Sequence, residues 1–140
     1  MRLKLMAVLV ALATSLAACG SVTVTFPKDI GPGFDLDKTL ADLRDCGTLS
    51  DTFVAVVREA AQELDDLAAS SGGRVPSGAL NTKVDVIAKT SYFKIGEKLG
   101  CDAVAQRIDT LDRLRGLSPS SKAGKDLVGQ VMDQVEAQSP

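Results

Sequence analysis

Helical periodicity from Asp35 onward predicts an all-α protein, a compact bundle of four or five helices. Three observations carry that prediction. Apolar residues recur three and four positions apart through most of the chain, the spacing of a single buried helix stripe. Strand-like alternation is confined to Ser21–Phe26, and a lone strand has nothing to pair with. Aromatic residues make up 4% of the 140 residues and tryptophan is absent, while Ala, Val and Leu are plentiful, which suits helix-on-helix packing.

In chain order the first element is LMAVLVALATSLAACG, residues 5–20, preceded by the cations Arg2 and Lys4. Its apolar part runs from Leu5 to about Leu16, shorter than the roughly 20 residues that a spanning helix needs. A charged start, a short apolar run and then small residues form the pattern of an export signal. Leu16-Ala17-Ala18-Cys19 at its end resembles the lipobox of bacterial lipoproteins. That resemblance covers residues 1–20 only. It implies a lipid on the Cys19 sulfur, cleavage before Cys19, and further acylation such as palmitate on the new amino terminus. It divides the chain into a signal peptide at 1–18, a lipidated cysteine and flexible tether at 19–34, and a helical domain at 35–140. It also implies an extracytoplasmic, membrane-anchored location. That is the outer membrane where the cell has one, because Gly20 stands where inner-membrane retention commonly uses aspartate, and otherwise the outer face of the cell membrane.

Loss of the signal removes Arg2 and Lys4 and leaves 122 residues with 14 basic and 18 acidic side chains, net −4. One domain is all that this length supports. The acidic balance argues against nucleic acid or an anionic membrane surface as partner, since both reward dense Lys/Arg patches. Two cysteines remain, Cys46 and Cys101. In an exported domain an even pair reads as a structural disulfide, and no C-x-x-C spacing is present to tune a redox pair.

The helices follow. Leu36, Leu40 and Leu43 predict a short first helix closed by Cys46-Gly47. Thr48 and Asp51 resemble a capping box that opens the second, with Phe53, Val57, Ala60, Leu64 and Leu67 inward. Arg58, Glu59, Gln62, Glu63 and Asp66 then form its solvated face. Ser77 to Gly100 predicts a third helix with two apolar sides, so it either sits centrally or breaks, with a bend at Thr90-Ser91. Gly100 is placed as a left-handed stop. Val104, Ile108, Leu111 and Leu114 predict the inward face of a fourth helix. Ser118-Pro119 predicts the cap and first turn of a fifth, carrying Leu127, Val128, Val131 and Val135.

Little of this sequence can carry catalysis. Histidine is absent, which removes the commonest general base, most zinc ligation and the usual nucleophile pairs. Glu63, Asp65 and Asp66 could bind a cation or act as an acid/base pair, but their helical setting reads as a solvated face. No calcium loop is present, and the glycines of Gly31-Pro32-Gly33 and Gly72-Gly73 punctuate loops. The sequence therefore points to no enzyme, cofactor or metal site. Candidate partner-binding residues are Tyr92, with its hydroxyl at the surface, and Lys83, Lys94 and Lys98, which with Lys89 make the third helix basic in an acidic protein. Ordinary solvation accounts for those lysines equally well.

The reading these residues favour is a lipid-anchored, non-enzymatic interaction, assembly or accessory factor at the cell envelope, with an envelope protein as partner. The alternatives are an apolar-ligand-binding lipoprotein and an inhibitor or exclusion protein acting on an extracytoplasmic enzyme or channel. Cys19→Ser is expected to abolish metabolic palmitate labelling and to leave unprocessed precursor. Labelling that survives the substitution overturns the lipobox reading.

Overall fold

The computed structural model of the protein describes residues 29–138. The signal peptide expected at 1–18, Cys19 and most of the expected tether lie outside the described residues. Among those described, the order is α1 Leu36–Ala41, α2 Cys46–Ser70, α3 Ser77–Ala88, α4 Tyr92–Leu99, α5 Ala103–Arg115 and α6 Lys122–Ala137, with no strand. The all-α bundle is as expected: five longer helices joined to the six-residue α1.

α2 is the centre. Leu49, Phe53, Val56, Val57, Ala60, Ala61 and Leu64 are all buried, as are Val54 and Ala68. At 100° per residue these positions and Thr52 cover roughly 200° of the helix circumference. That is wider than the single predicted stripe, and α1, α3, α4, α5 and α6 all pack on it. Leu67, expected inward, is exposed, and Ala68 takes the inward place one residue on. The helix begins earlier than predicted. Asp45 is its N-cap and accepts the Thr48 N–H at 2.8 Å, so Cys46-Gly47 opens α2 rather than closing α1. Asp at that position outranks Thr as a cap, which is why the start precedes the Thr48 box.

The predicted third helix is two helices. α3 stops at Ala88, and Asp37 of α1 accepts the Ser91 N–H at 2.6 Å and the Thr90 hydroxyl at 2.9 Å. A carboxylate reaching in from another helix takes the N–H that a continuous helix would have used, turning the expected bend into a full break. α4 then ends as predicted. Gly100 has φ +80°, and the Cys101 and Gly100 N–H groups bond the carbonyls of Gly96 and Glu97, a Schellman pattern.

Cys46 and Cys101 are disulfide-bonded with Cα atoms 5.7 Å apart. The bond staples the first residue of α2 to the junction between α4 and α5. Closing 55 residues contributes on the order of 4 kcal/mol by chain entropy.

α5 departs most from expectation. Leu111 and Leu114 are buried, but Val104 and Ile108 are 46% and 54% exposed, and Gln106 and Thr110 face inward in their place. The reason is the environment of Tyr92, which is 1% exposed rather than at the surface. Its ring stacks on Phe53 at 4.3 Å between centroids and meets Phe93 edge-on at 4.9 Å. Its hydroxyl sits 2.7 Å from Thr110 Oγ1 and 3.0 Å from Ser50 Oγ. A buried hydroxyl without partners is costly, so α5 turns its polar Thr110 toward Tyr92. One turn earlier, the Gln106 amide lies over Gly96, in space that a Cβ would fill.

α6 begins at Lys122 with Ser121 as N-cap, later than Ser118-Pro119 predicted. Asp65 of α2 accepts the N–H groups of Ser120 and Ser121 at 2.8 and 2.9 Å and so sets that start. Leu127, Val128, Val131 and Val135 are buried as expected.

Tyr92→Phe keeps the ring packing and removes the hydroxyl that both Ser50 and Thr110 reach. The expected cost is about 1–2 kcal/mol, read as a lower urea midpoint at unchanged slope. An unchanged midpoint would show that the buried hydroxyl network contributes nothing net.

Candidate functional site

The predicted tether was to run to residue 34, but the packed unit starts at residue 30. Ile30 is 0% exposed and belongs to the core, and the chain then turns, with the Phe34 N–H bonded to the Gly31 carbonyl at 3.0 Å. Ile30 has no strand to satisfy its backbone, and side chains do so instead. Its N–H donates to Glu63 Oε1 of α2 at 2.9 Å, and its carbonyl accepts from Lys83 Nζ of α3 at 3.2 Å. Glu63 Oε2 and Lys83 Nζ are themselves ion-paired. One charged pair therefore holds both backbone groups of the residue through which the upstream chain joins the bundle.

Two sequence assignments change here. Lys83 is only 6% exposed and fully engaged, so it offers no partner-binding surface, and Glu63 belongs to the clamp rather than to a solvated face. A buried ammonium is tolerated because it is paired and hydrogen-bonded, and removing one member of such a pair typically costs about 3–5 kcal/mol. Tyr92 is likewise withdrawn from the surface. Lys94 and Lys98 are exposed on α4, and Lys89 is exposed just beyond α3, so these three remain at the surface.

The acidic trio of α2 disperses. Glu63 is committed to Ile30 and Lys83, Asp65 to the start of α6, and Asp66 accepts from Gln62 Nε2 at 3.0 Å. The three carboxylates face different partners and form no acid/base pair. Among the described residues no three His, Cys, Asp or Glu side chains are grouped to hold a metal ion. An open groove of about 420 Å³ lies between residues 32–37 and the Thr82, Asp85, Val86 and Lys89 side of α3. A smaller hollow of about 180 Å³ adjoins the disulfide and is lined in part by Gln106, whose Nε2 is buried without a partner. Val104 and Ile108 project from α5 one turn apart; sequence periodicity placed them in the core and so missed the surface they form.

Carboxylates dominate the electrostatics as helix caps. For Asp37, burial raises the pKa, but hydrogen bonds from the Ser91 backbone and the Ser91 and Thr90 side chains outweigh it and hold the group below its ordinary 3.8. Asp65 follows the same logic, with burial opposed and outweighed by Ser120 and Ser121. The Thr48 side chain and backbone lower Asp45.

No protein-family model matches the chain, and no curated protein or solved structure matches it significantly.

Because Asp37 and Asp65 are depressed in the folded state, the unfolded chain binds more protons as pH falls. Their stabilisation is present above about 3.8 and is lost as pH drops through the lower folded values. Thermal melts from pH 5 to pH 2 are expected to show this acid loss, and Asp37→Asn with Asp65→Asn to flatten it at a lower starting stability. An equally steep acid limb in the double variant would assign the loss to other groups.

Proposed function

We propose that this chain is a lipid-anchored exported protein serving as a non-enzymatic interaction, assembly or accessory factor at the cell envelope. The lipid on Cys19 would hold it to the membrane, and the disulfide-stapled bundle is the part presented to an envelope protein. The observation that carries this reading is Leu16-Ala17-Ala18-Cys19 followed, within about a dozen residues, by the start of a packed domain at Ile30. Lipid at that distance confines the bundle to a shell beside the bilayer, where its effective concentration for a membrane partner is high. Among the described residues no helix is long and apolar enough to cross a membrane. The commitment of Glu63, Asp65 and Asp66 to structural partners supports a binding role over acid/base chemistry. The available surface differs from the one read in the sequence: Lys94 and Lys98 stay candidates, Val104 and Ile108 join them, and Tyr92 and Lys83 leave.

The test is complementation of a deletion strain by an exported form lacking Cys19, at abundance matched to the native protein. The soluble form is expected to fold with its disulfide yet lose most activity, with partial recovery on overexpression. Full activity at native abundance would point instead to a diffusible inhibitor or carrier.

A further inference from the structure

Residues 29–34 are held to the bundle at few points. Asp29, Pro32 and Gly33 are exposed, Phe34 is half-buried, and only Ile30 is sunk in the core. Between Asp29 and Gly33, the hydrogen bonds reaching the bundle are the two that Glu63 and Lys83 make with Ile30. The groove of about 420 Å³ separates the following turn from α3, so this lead-in is not packed flat along its length. The chemistry of the clamp also favours clean release. Glu63 and Lys83 contact each other directly, so departure of Ile30 leaves each with its opposite charge and creates no lone buried ion. What opening gives up is the buried Ile30 side chain, the partial packing of Phe34 on the core and two hydrogen bonds, with no helix broken. Segments with so few contacts are those that open locally below the free energy of global unfolding.

We propose that residues 29–34 form a clasp that opens as a unit while α1–α6 stay folded, giving the anchored domain two reaches. Closed, about ten residues separate Cys19 from the clasp, a span of at most roughly 35 Å. Open, about fifteen residues reach to Phe34, at most roughly 50 Å. The two reaches rest on the lipid-anchor reading; the opening itself does not.

The experiment is amide hydrogen exchange on the protein as purified from the exporting cell, with the intact mass of the same sample reporting lipid on Cys19. The Ile30 amide is expected to be protected, yet to exchange at least about 100-fold faster than those of Val57 and Leu64, with little dependence on low urea. Tyr92→Phe, which weakens a network made with Ser50 and Thr110 and leaves the clasp contacts in place, is expected to speed exchange of Val57 and Leu64 about tenfold while Ile30 is unchanged, because closed and open clasp lose that network equally. Should that variant fail to fold, Thr110→Val supplies the same comparison, and the unsubstituted protein decides the main point alone. Exchange of Ile30 in step with α2, with the same urea dependence, would overturn the clasp by making it part of the global fold. Exchange at the rate of a free peptide would overturn it by showing that it never closes. Absence of lipid mass would instead remove the anchor and the two reaches while leaving the exchange result standing.

Discussion

The breadth of the apolar surface on α2 is the constraint from which the remaining packing follows. A helix buried over about 200° cannot be satisfied by one neighbour, and five other helices share the task. α6 covers it most extensively with Leu127, Val128, Val131 and Val135. Short α1 and α4 close the end where Cys46 is bonded to Cys101, and Tyr92 plugs that end against Phe53. The disulfide therefore sits where the elements are shortest and least able to hold one another by area alone. In a small domain a covalent staple there offsets a modest core.

An acidic protein would ordinarily be read as one that is merely well solvated. Here the aspartates have structural positions. Asp35, Asp45 and Asp102 cap α1, α2 and α5 locally, and Asp37 and Asp65 reach across the fold to the starts of α4 and α6. Each satisfies N–H groups that the helix leaves unpaired and places negative charge at the positive end of the helix dipole. α3, which follows Pro76, starts without a side-chain cap, and α4 has none from its own Ser91 and relies on Asp37. These five aspartates are thus spread over five different helix starts, an arrangement opposed to the convergence that a metal or acid/base site needs.

The clamp on Ile30 joins these two themes. Glu63 lies on the flank of α2 and Lys83 on α3, and their pair fills the polar need of a chain segment that has no secondary structure of its own. It thereby fixes where the bundle ends and the upstream chain begins. The exposed Val104 and Ile108 follow from a different demand, the pull of the Tyr92 hydroxyl on Thr110, which turns the apolar positions of α5 outward. The exposed face of α5 is in this sense set by the interior.

Sequence by itself determined the helical class, the inward apolar residues of α6, four of those of α2 (Phe53, Val57, Ala60 and Leu64), the left-handed stop at Gly100, and Cys46 and Cys101 as a pair. Each depends on spacing or residue type within a few positions, or on there being only two cysteines to join. The resemblance of Leu16-Ala17-Ala18-Cys19 to a lipobox is likewise read from local sequence. Tertiary structure alone decided the start of α6, the rotation of α5 and the burial of Lys83 and Tyr92, and it turned the bend read at Thr90-Ser91 into a full break between α3 and α4. In every one of these a polar group far along the chain supplies the partner: Asp37 for Ser91, Asp65 for Ser121, Thr110 and Ser50 for Tyr92, Glu63 and Ile30 for Lys83. Periodicity records which residues prefer to leave water, but a buried polar atom must find its complement, and that complement is specified only once the helices have met.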